Sequence, residues 1–160
     1  MVELSSVIPY AGRTVDYLAF QGAKVGQEVL LGQSLVSDTN SGLLITGIEK
    51  LVQRFVIELL TEQGSLHYEP DRGTLFILAI RSGTVRTEAD LYAQFSSAEV
   101  DIRNHLRQEE DGTEPEDERY VSASLLNVTL VGSTANLRIE IVSGAGESRE
   151  FIFPLPVAIS

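Results

Sequence analysis

The chain has 160 residues and a mass of 17.5 kDa, which is the size of a single domain. It contains no cysteine, which excludes disulfides, thiolate nucleophiles and cysteine-bound zinc. Its net charge of −11 has the wrong sign for a nucleic-acid partner, and it has no apolar run long enough to span a membrane. The first residues lack the pattern of a secretory signal, so we expect an acidic globular domain that is made inside the cell.

Most of the negative charge lies in one short stretch. Seven acidic residues fall between Gln108 and Arg119, and without them the net charge would be −4 instead of −11. The simplest interpretation is a solvated loop, because the spacing lacks the residue order of an EF-hand calcium loop. If the loop has a binding role, we expect a basic surface of a neighbouring chain opposite it.

The first forty residues carry short β-like pieces separated by glycines. The candidate pieces are residues 13–20 and 27–31. We therefore divide the chain into an N-terminal, β-like arm or extension, residues 1–42, and a main domain, residues 43–160.

A helix is predicted from residue 47 to residue 62. Apolar residues recur there every three or four positions, which is typical of an amphipathic helix: Ile48, Leu51, Val52, Phe55, Val56, Leu59 and Leu60. Thr46 and Glu49 have the spacing of a capping box that would begin this helix. Gly64 can adopt the left-handed conformation that would end it.

The middle of the chain predicts a loop and two further helices. Residues 64–73 form a loop by composition, and for residues 75–81 we favour a short helix over a strand. A long amphipathic helix follows over residues 88–108, with a capping box formed by Thr87 and Asp90.

The last third of the chain predicts a three-stranded antiparallel β-meander. Apolar and polar residues alternate over three segments: residues 121–130, 137–141 and 149–155. The alternation changes phase near Leu125, which indicates a bulge. Pro154 and Pro156 cannot donate ladder hydrogen bonds, so we expect the last strand to lie at an edge or to leave the sheet there. The fold class is thus α+β: amphipathic helices, then the meander.

The sequence shows little sign of catalytic chemistry. It contains no phosphate-binding glycine loop and no nucleophile or metalloprotease motif. His67, Glu69 and Asp71 could together ligate a metal, but Pro70 interrupts them and no fourth ligand is nearby, so a turn involving Asp71 and Arg72 is the default. We predict no enzyme activity, no catalytic residue, no metal and no cofactor.

Two segments have the composition of protein-binding surfaces. The loop 64–73 places Tyr68, Pro70 and Arg72 close together, and tyrosine and arginine are enriched at interface hot spots. Packing of this loop on its own domain is an equally good interpretation. Glu118 and Arg119 could be a simple surface ion pair. The last strand, whose Phe151 and Phe153 share a face, could pair with another chain if it lies at an edge.

The order of these segments resembles that of a known family. The first helix runs into Leu60-Thr61-Glu62-Gln63-Gly64, the loop contains Pro70-Asp71-Arg72-Gly73, and Asp117-Glu118-Arg119 opens the strands after the long helix. This order is similar to that of the small baseplate-wedge proteins of contractile phage tails, whose relatives occur in type VI secretion and other contractile injection baseplates. The family's Glu-Pro-Arg motif is matched in part, because the central proline is missing here. The resemblance covers about residues 43–155.

The resemblance implies a structural protein of the virion, assembled in the host cytoplasm into a sixfold tail baseplate. It would link the core bundle of the wedge to the tail tube and sheath, and it would initiate sheath assembly. The implied partners are other wedge proteins, the sheath and tube or hub proteins. The same resemblance implies that Asp117, Glu118 and Arg119 contact the wedge bundle, Arg119 through a carboxylate or carbonyl. Its prolines and position suggest the last strand as the sheath-facing surface. The other predicted partner contacts are Tyr68, Pro70, Asp71, Arg72, Phe151 and Phe153.

Three alternatives remain open at this point. The same fold could serve a type VI secretion or other contractile injection baseplate. A peptidoglycan-cleaving enzyme is a second alternative, because some relatives carry a lysozyme label, but the sequence marks no pair of carboxylates in separate environments. A ligand-binding α+β domain is the third.

Overall fold

The computed structural model describes residues 13–17, 20–25, 28–33 and 44–157. It contains three α-helices: α1 (Ile48–Leu60), α2 (Phe76–Arg81) and α3 (Glu88–Glu109). A short 3-10 helix, Glu116–Glu118, precedes the last three strands. The strands are β1 (Asp16–Tyr17), β2 (Phe20–Val25), β3 (Glu28–Gln33), β4 (Leu44–Ile45), β5 (Tyr120–Val131), β6 (Thr134–Ser143) and β7 (Ser148–Pro156). The α+β fold class, the three helices and the antiparallel meander are confirmed.

The meander belongs to a larger sheet than the sequence predicted. Five strands lie in the order β2-β3-β7-β6-β5, and β1 pairs separately with β4. The β2–β3 hairpin comes from the N-terminal arm, and β3 runs parallel to β7 with Leu30 opposite Ile152. Of the β-like pieces predicted in the arm, the second overlaps β3, whereas residues 18, 19, 26 and 27 lie outside the described residues. The sheet thus crosses the boundary drawn at residue 42.

Of the two positions predicted for the last strand, the edge position is wrong, whereas the strand does end at its second proline, Pro156. β7 is an inner strand, with β6 on one side and β3 on the other, and among the described strands β5 and β2 lie at the edges of this sheet. The parallel pairing with β3 is centred on Ile152, two residues before Pro154, so the prolines fall towards the end of the strand. On the other side Pro154 and Pro156 lie opposite Asn136 and Thr134 of β6. Proline has no N–H to donate to the ladder of hydrogen bonds. Near the end of an inner strand it interrupts few of these bonds, because the strand ends soon after it.

The core lies between the helices and one face of the sheet. β6 alternates without interruption between partly and fully buried residues, as expected for a strand with one core face. An aromatic group joins the layers: Phe55 of α1 stacks on Tyr120 of β5 at a centroid distance of 6.0 Å and contacts Phe95 of α3 at 6.1 Å. Phe76 of α2 meets Phe95 edge-on at 6.3 Å. Such aromatic pairs stabilise a fold by more than the burial of their surface area alone.

The bulge predicted near Leu125 is confirmed, because the β5–β6 register shifts between Leu125 and Asn127. A second shift, between Tyr120 and Ser122, carries no signal in the sequence.

Only one of the two predicted capping boxes forms. At α3, Thr87 accepts from the Asp90 amide and Asp90 accepts from the Thr87 amide, as predicted. At α1 the prediction is wrong, since the N-cap is Gly47 and no side chain of the box caps it. The Thr46 hydroxyl instead donates to Glu118, 72 residues further along the chain.

Gly73 holds the loop 64–73 against the end of α1. Its φ is +89°, and a Cβ there would collide with the carbonyl group of Thr61, which accepts the Thr74 amide at 2.8 Å. Gly64 also has a positive φ, of +83°, but a Cβ would meet nothing there. Residue 73 therefore requires glycine both for its positive φ and for its close approach to Thr61. Residue 64 requires glycine for its positive φ alone.

We predict that Gly73→Ala destabilises the fold by at least about 2 kcal/mol more than Gly64→Ala, whose cost of about 1 kcal/mol comes from backbone strain alone. The difference should appear in thermal unfolding as a further loss of about 4–8 °C in Tm. Equal Tm losses for the two variants would contradict this prediction. They would show that the backbone near Thr61 moves away from the added Cβ without a loss of stability.

Candidate functional site

Glu118 is a buried carboxylate at the N-terminus of α1. Its side chain is only 1 % exposed. One oxygen accepts from the Gly47 amide at 3.0 Å and from the Thr46 hydroxyl at 2.8 Å, and the other lies 2.9 Å from the Lys50 ammonium. A negative charge at this end also interacts favourably with the helix dipole. Glu118 therefore accepts the amide of the N-cap residue, which is the half of a capping box that the sequence assigned to Glu49.

These contacts decide the ionisation of Glu118. Burial alone would raise its pKa, because it disfavours the charged form. The hydrogen bonds from Gly47, Lys50 and Thr46 act in the opposite direction and together outweigh burial, so the pKa of Glu118 is lowered. The carboxylate is thus held in its charged form.

Backbone contacts fix the segment that carries Glu118. The turn between β6 and β7 lies against it, with the Gly144 amide donating to the Arg119 carbonyl at 2.9 Å and the Ala145 amide donating to the Glu116 carbonyl at 3.1 Å. A Cβ on Gly144 would lie 2.9 Å from the Glu116 carbonyl oxygen, so the approach requires glycine. The 3-10 helix is thereby held between α1 and the sheet.

The residues on either side of Glu118 bind within the chain as well. Asp117 pairs with Arg13 of the N-terminal segment at 2.9 Å. Arg119 donates to the carbonyls of Glu114 at 3.1 Å and Gly112 at 3.0 Å. Glu118 and Arg119 are therefore not the surface ion pair considered above, because their side chains have different partners.

Arg72 joins the loop 64–73 to two helices. Its guanidinium lies 2.6 Å from Glu58 of α1, 3.0 Å from Glu69 of the loop and 3.0 Å from Glu109 at the end of α3. Glu58 is buried, with 1 % of its side chain exposed. Burial lowers the pKa of Arg72, but the neighbouring carboxylates outweigh it and the pKa is raised. Arg72 thus neutralises a buried charge and fixes the loop.

One side of Glu58 has no hydrogen bond. Its second carboxylate oxygen lies 3.6 Å from Nδ1 of His105 on α3, and both atoms are buried without a hydrogen-bond partner among the described residues. The Glu58 carboxylate therefore depends on Arg72, which donates the one hydrogen bond that this carboxylate accepts among the described residues.

The structure separates the two predicted binding segments. Arg72 contacts α1 through Glu58, near the C-terminus of the helix, whereas Glu118 binds at its N-terminus. Gly47 and Glu58 are 11 residues apart, so the two contacts are separated by about 16 Å along the axis of α1. Tyr68 is 85 % exposed, and Pro70 and Asp71 are also exposed.

Three of the predicted partner contacts are buried within the chain. The side chains of Phe151 and Phe153 lie in the hydrophobic core, and Glu118 is enclosed by its hydrogen-bond donors. In the absence of rearrangement these side chains are unavailable to a partner. The sequence predicts correctly that Phe151 and Phe153 share a face of the strand. In this inner strand, that face packs into the core.

The acidic stretch is largely engaged within the chain. Besides Asp117 and Glu118, Glu109 pairs with Arg54 and Arg72, and Glu110 accepts from the Tyr120 amide at 2.8 Å. Asp111 and Glu114 accept amides inside their own turn. Glu116 is the one exposed acid of the seven whose side chain makes no hydrogen bond or ion pair with the described residues. The stretch is thus a largely solvent-accessible loop, as the simplest interpretation predicted, except that Glu118 is buried.

Sequence reasoning missed Arg13, Lys50 and Glu58. Glu58 lies on the helix face that its apolar neighbours share, which is the one signal that could have indicated its burial. Arg13 and Lys50 look like ordinary surface residues, because their partners are more than 65 residues away in the chain.

The described residues contain no cluster of histidine, aspartate and glutamate side chains that could hold a metal ion. None of the described helices is long and apolar enough to cross a membrane.

No protein-family model and no curated protein matches the chain. Among solved structures, it is similar to a crystal structure from Geobacter sulfurreducens that is provisionally named a tail lysozyme. The two sequences are 16 % identical, and the alignment covers 81 % of this chain and 99 % of the other, with a TM-score of 0.39. At that TM-score the similarity is too low to bring the other protein's name to this chain.

We predict that Glu118→Gln destabilises the fold by about 3 kcal/mol near neutral pH, because it leaves Lys50 without its buried partner. The pKa of Glu118 is lowered from 4.5 in the folded chain. Its stabilisation is therefore complete above pH 4.5 and is lost as the pH falls through the folded-state pKa. Urea unfolding from about pH 7 to about pH 3 should show a weaker pH dependence in the variant than in the wild type.

Glu116→Gln is the matched control. It makes the same substitution two positions before Glu118, at a side chain that is exposed. It should leave both stability and its pH dependence nearly unchanged. A Glu118→Gln variant that behaves like this control would exclude a capping role for Glu118.

We predict that Arg72→Ala destabilises the fold by about 2 kcal/mol, a value reduced from that of a fully buried pair because the arginine is partly exposed. Amide exchange in the loop 64–73 should also become faster. Arg81→Ala is the control, since it breaks a largely exposed pair with Glu62 and should cost less than about 1 kcal/mol. Similar costs for the two variants would contradict the role of Arg72 in neutralising Glu58.

Proposed function

We propose that this chain is a structural subunit of a contractile-tail baseplate. It joins wedge proteins to the tail tube and sheath, and it starts sheath assembly. The sequence resemblance over residues 43–155 supports this role, because its segments occur in the family's order. The proposed location is the virion tail, with assembly in the host cytoplasm.

The observation that carries the sheath half of the proposal is the edge of β5. This 12-residue strand pairs on one side with β6, and it contains neither a charged residue nor a proline. Natural edge strands usually carry such residues, which prevent pairing with other chains. β5 is therefore a better candidate for the sheath-facing surface than β7, which is an inner strand.

Side chains of α3 and of Glu110, which follows it, bind backbone groups in the first part of β5. Glu110 accepts from the Tyr120 amide, Arg107 donates to the Val121 carbonyl at 3.4 Å, and Glu99 lies 3.4 Å from the Ala123 amide. Within the described residues, no side chain binds the backbone of the remaining part, Ser124–Val131. That part also carries exposed apolar side chains: Leu126, Leu130 and Val131. An incoming strand would find its backbone partners there.

The loop 64–73 is the proposed contact with a wedge protein. Arg72 holds it rigidly, and Tyr68 projects from it with most of its surface in solvent. A rigid loop with an exposed aromatic residue loses little conformational entropy on binding. We place Asp117 in the same role, at the other end of α1.

Glu118 is unsuited to be the proton-donating acid of a glycosidase. A glycosidase needs a carboxylic acid whose pKa is raised, whereas the pKa of Glu118 is lowered by its hydrogen bonds. The proposal covers phage and secretion-system baseplates alike, and the neighbouring genes would distinguish them.

The test is co-expression of the chain with the wedge and sheath proteins encoded beside it, followed by affinity capture. We expect Leu126→Lys together with Leu130→Lys to reduce sheath capture at least about 10-fold, because two charges on a strand edge oppose pairing. Tyr68→Ala should reduce wedge capture and leave sheath capture unchanged.

Leu78→Lys is the control for the added charge, since Leu78 is also partly exposed but lies on α2, which packs on α1 and α3. It should capture sheath normally. If the wild-type chain captures neither a wedge nor a sheath protein, the proposed function is wrong. If it captures sheath and the double variant does so equally well, the assignment of β5 is wrong.

A further inference from the structure

Residues 13–17 form a strap across the N-terminus of α1. Arg13 contacts Asp117 at 2.9 Å and Thr46 at 3.3 Å, and its guanidinium lies 3.7 Å from Glu118. Lys50 donates to the carbonyl and hydroxyl of Thr14. The strap ends in β1, which pairs with β4 through two residue pairs.

The strap is attached by polar contacts, most of them near the surface; the deepest is a hydrogen bond of 2.9 Å from the buried Gln53 side chain to Asp16. Val15, the one apolar residue among residues 13–16, is exposed, so no apolar side chain of these four residues is buried in the core. The Arg13–Asp117 pair is partly exposed, with 29 % and 23 % of the side chains accessible. Ion pairs of this kind contribute little to stability. A segment held in this way can open locally while the core stays folded.

Opening of the strap would affect the two acidic residues differently. Glu118 would keep its three donors, Gly47, Thr46 and Lys50, because all of them lie outside the strap. Asp117 would lose Arg13, and its other carboxylate oxygen already lacks a hydrogen-bond partner among the described residues. Glu118 would therefore keep its donors and the carboxylate of Asp117 would lose its cation, while Gln53 would lose its hydrogen bond to Asp16 and Lys50 its contacts with Thr14.

We infer that the strap is a removable internal ligand of Asp117, and that an arginine side chain of a partner takes the place of Arg13. Arginine fits this site because the internal ligand is itself a guanidinium, which matches a carboxylate better than an ammonium does. The inference rests on the proposed function, in which Asp117 contacts a wedge protein. It adds that the free chain covers this contact until the partner binds.

The first test is amide exchange of the full-length chain measured by NMR. In the wild type, the amides of Asp16, Tyr17, Leu44 and Ile45 should exchange faster than those of the inner strand β6. Arg13→Ala should raise these rates by a further factor of about 10 and change the β6 rates less than about 2-fold. Arg149→Ala is the control, because it removes a weak pair with Glu49 at the same end of α1.

Strap amides that exchange only as slowly as β6, in the wild type and in Arg13→Ala, would overturn the inference, because the strap would then open only with the whole fold. An equal acceleration in Arg149→Ala would also overturn it, since the effect would not depend on the Asp117 contact.

The second test asks whether the uncovered carboxylate binds a guanidinium. N-acetylarginine amide added to Arg13→Ala should shift the amide signals of Asp117 and Glu118, with a smaller shift in the wild type and a smaller one with N-acetyllysine amide. Arg13→Ala combined with Asp117→Asn should show no shift. Absence of a shift in Arg13→Ala, or an equal shift in the double variant, would refute the site.

These measurements use the isolated chain and are independent of the co-expression experiment. A strap that fails them while wedge capture succeeds would refute the inference alone. Wedge capture that fails while the strap behaves as expected would refute the proposed function alone.

Discussion

The fold depends on the burial of one charged group, the carboxylate of Glu118, at the N-terminus of α1. Transferring a carboxylate out of water is costly, and the structure offsets that cost with an amide, a hydroxyl and an ammonium group within 3.0 Å. All three donors come from residues 46–50, and Glu118 itself leads into β5. The interaction therefore fixes the position of α1 relative to the sheet, while the β6–β7 turn holds the same segment by its backbone.

The same principle explains the acidity of the whole chain. A net charge of −11 suggests a protein that repels anions and stays soluble, and a dense acidic stretch suggests a surface for a basic partner. In the structure, arginine and lysine side chains from distant parts of the chain pair with three of the seven acids, Glu109, Asp117 and Glu118, and backbone amides donate to three others. Arg72 alone lies between three carboxylates, from α1, the loop 64–73 and α3. The charge is thus part of the tertiary structure.

The sequence predicted what depends on local pattern and failed where distant residues meet. The apolar spacing of α1 and α3, the Thr87–Asp90 cap and the alternation in β6 are properties of a few consecutive residues, and they are confirmed. The Thr46–Glu49 cap is wrong because Glu118 supplies a stronger acceptor from 72 residues away. The edge position of β7 is wrong because a hairpin from the N-terminal arm pairs with it. No local sequence pattern indicates the Thr46–Glu118 contact or the β3–β7 pairing. Nor does a local pattern show that Arg72 turns inwards while Tyr68 turns outwards.

These internal pairings also define where the chain is open. At one end of α1, Arg72 uses its charge within the fold and leaves Tyr68 projecting from a rigid loop. At the other end, Glu118 is enclosed, and Asp117 is covered by a strap whose loss would cost the core none of its caps. Along β5, side chains of α3 satisfy the first backbone groups of the edge and stop at Ala123. In each of these places, the groups that have no partner within the chain lie next to groups that have one. The ion pairs and caps that stabilise the isolated chain therefore also determine which of its groups another chain could bind.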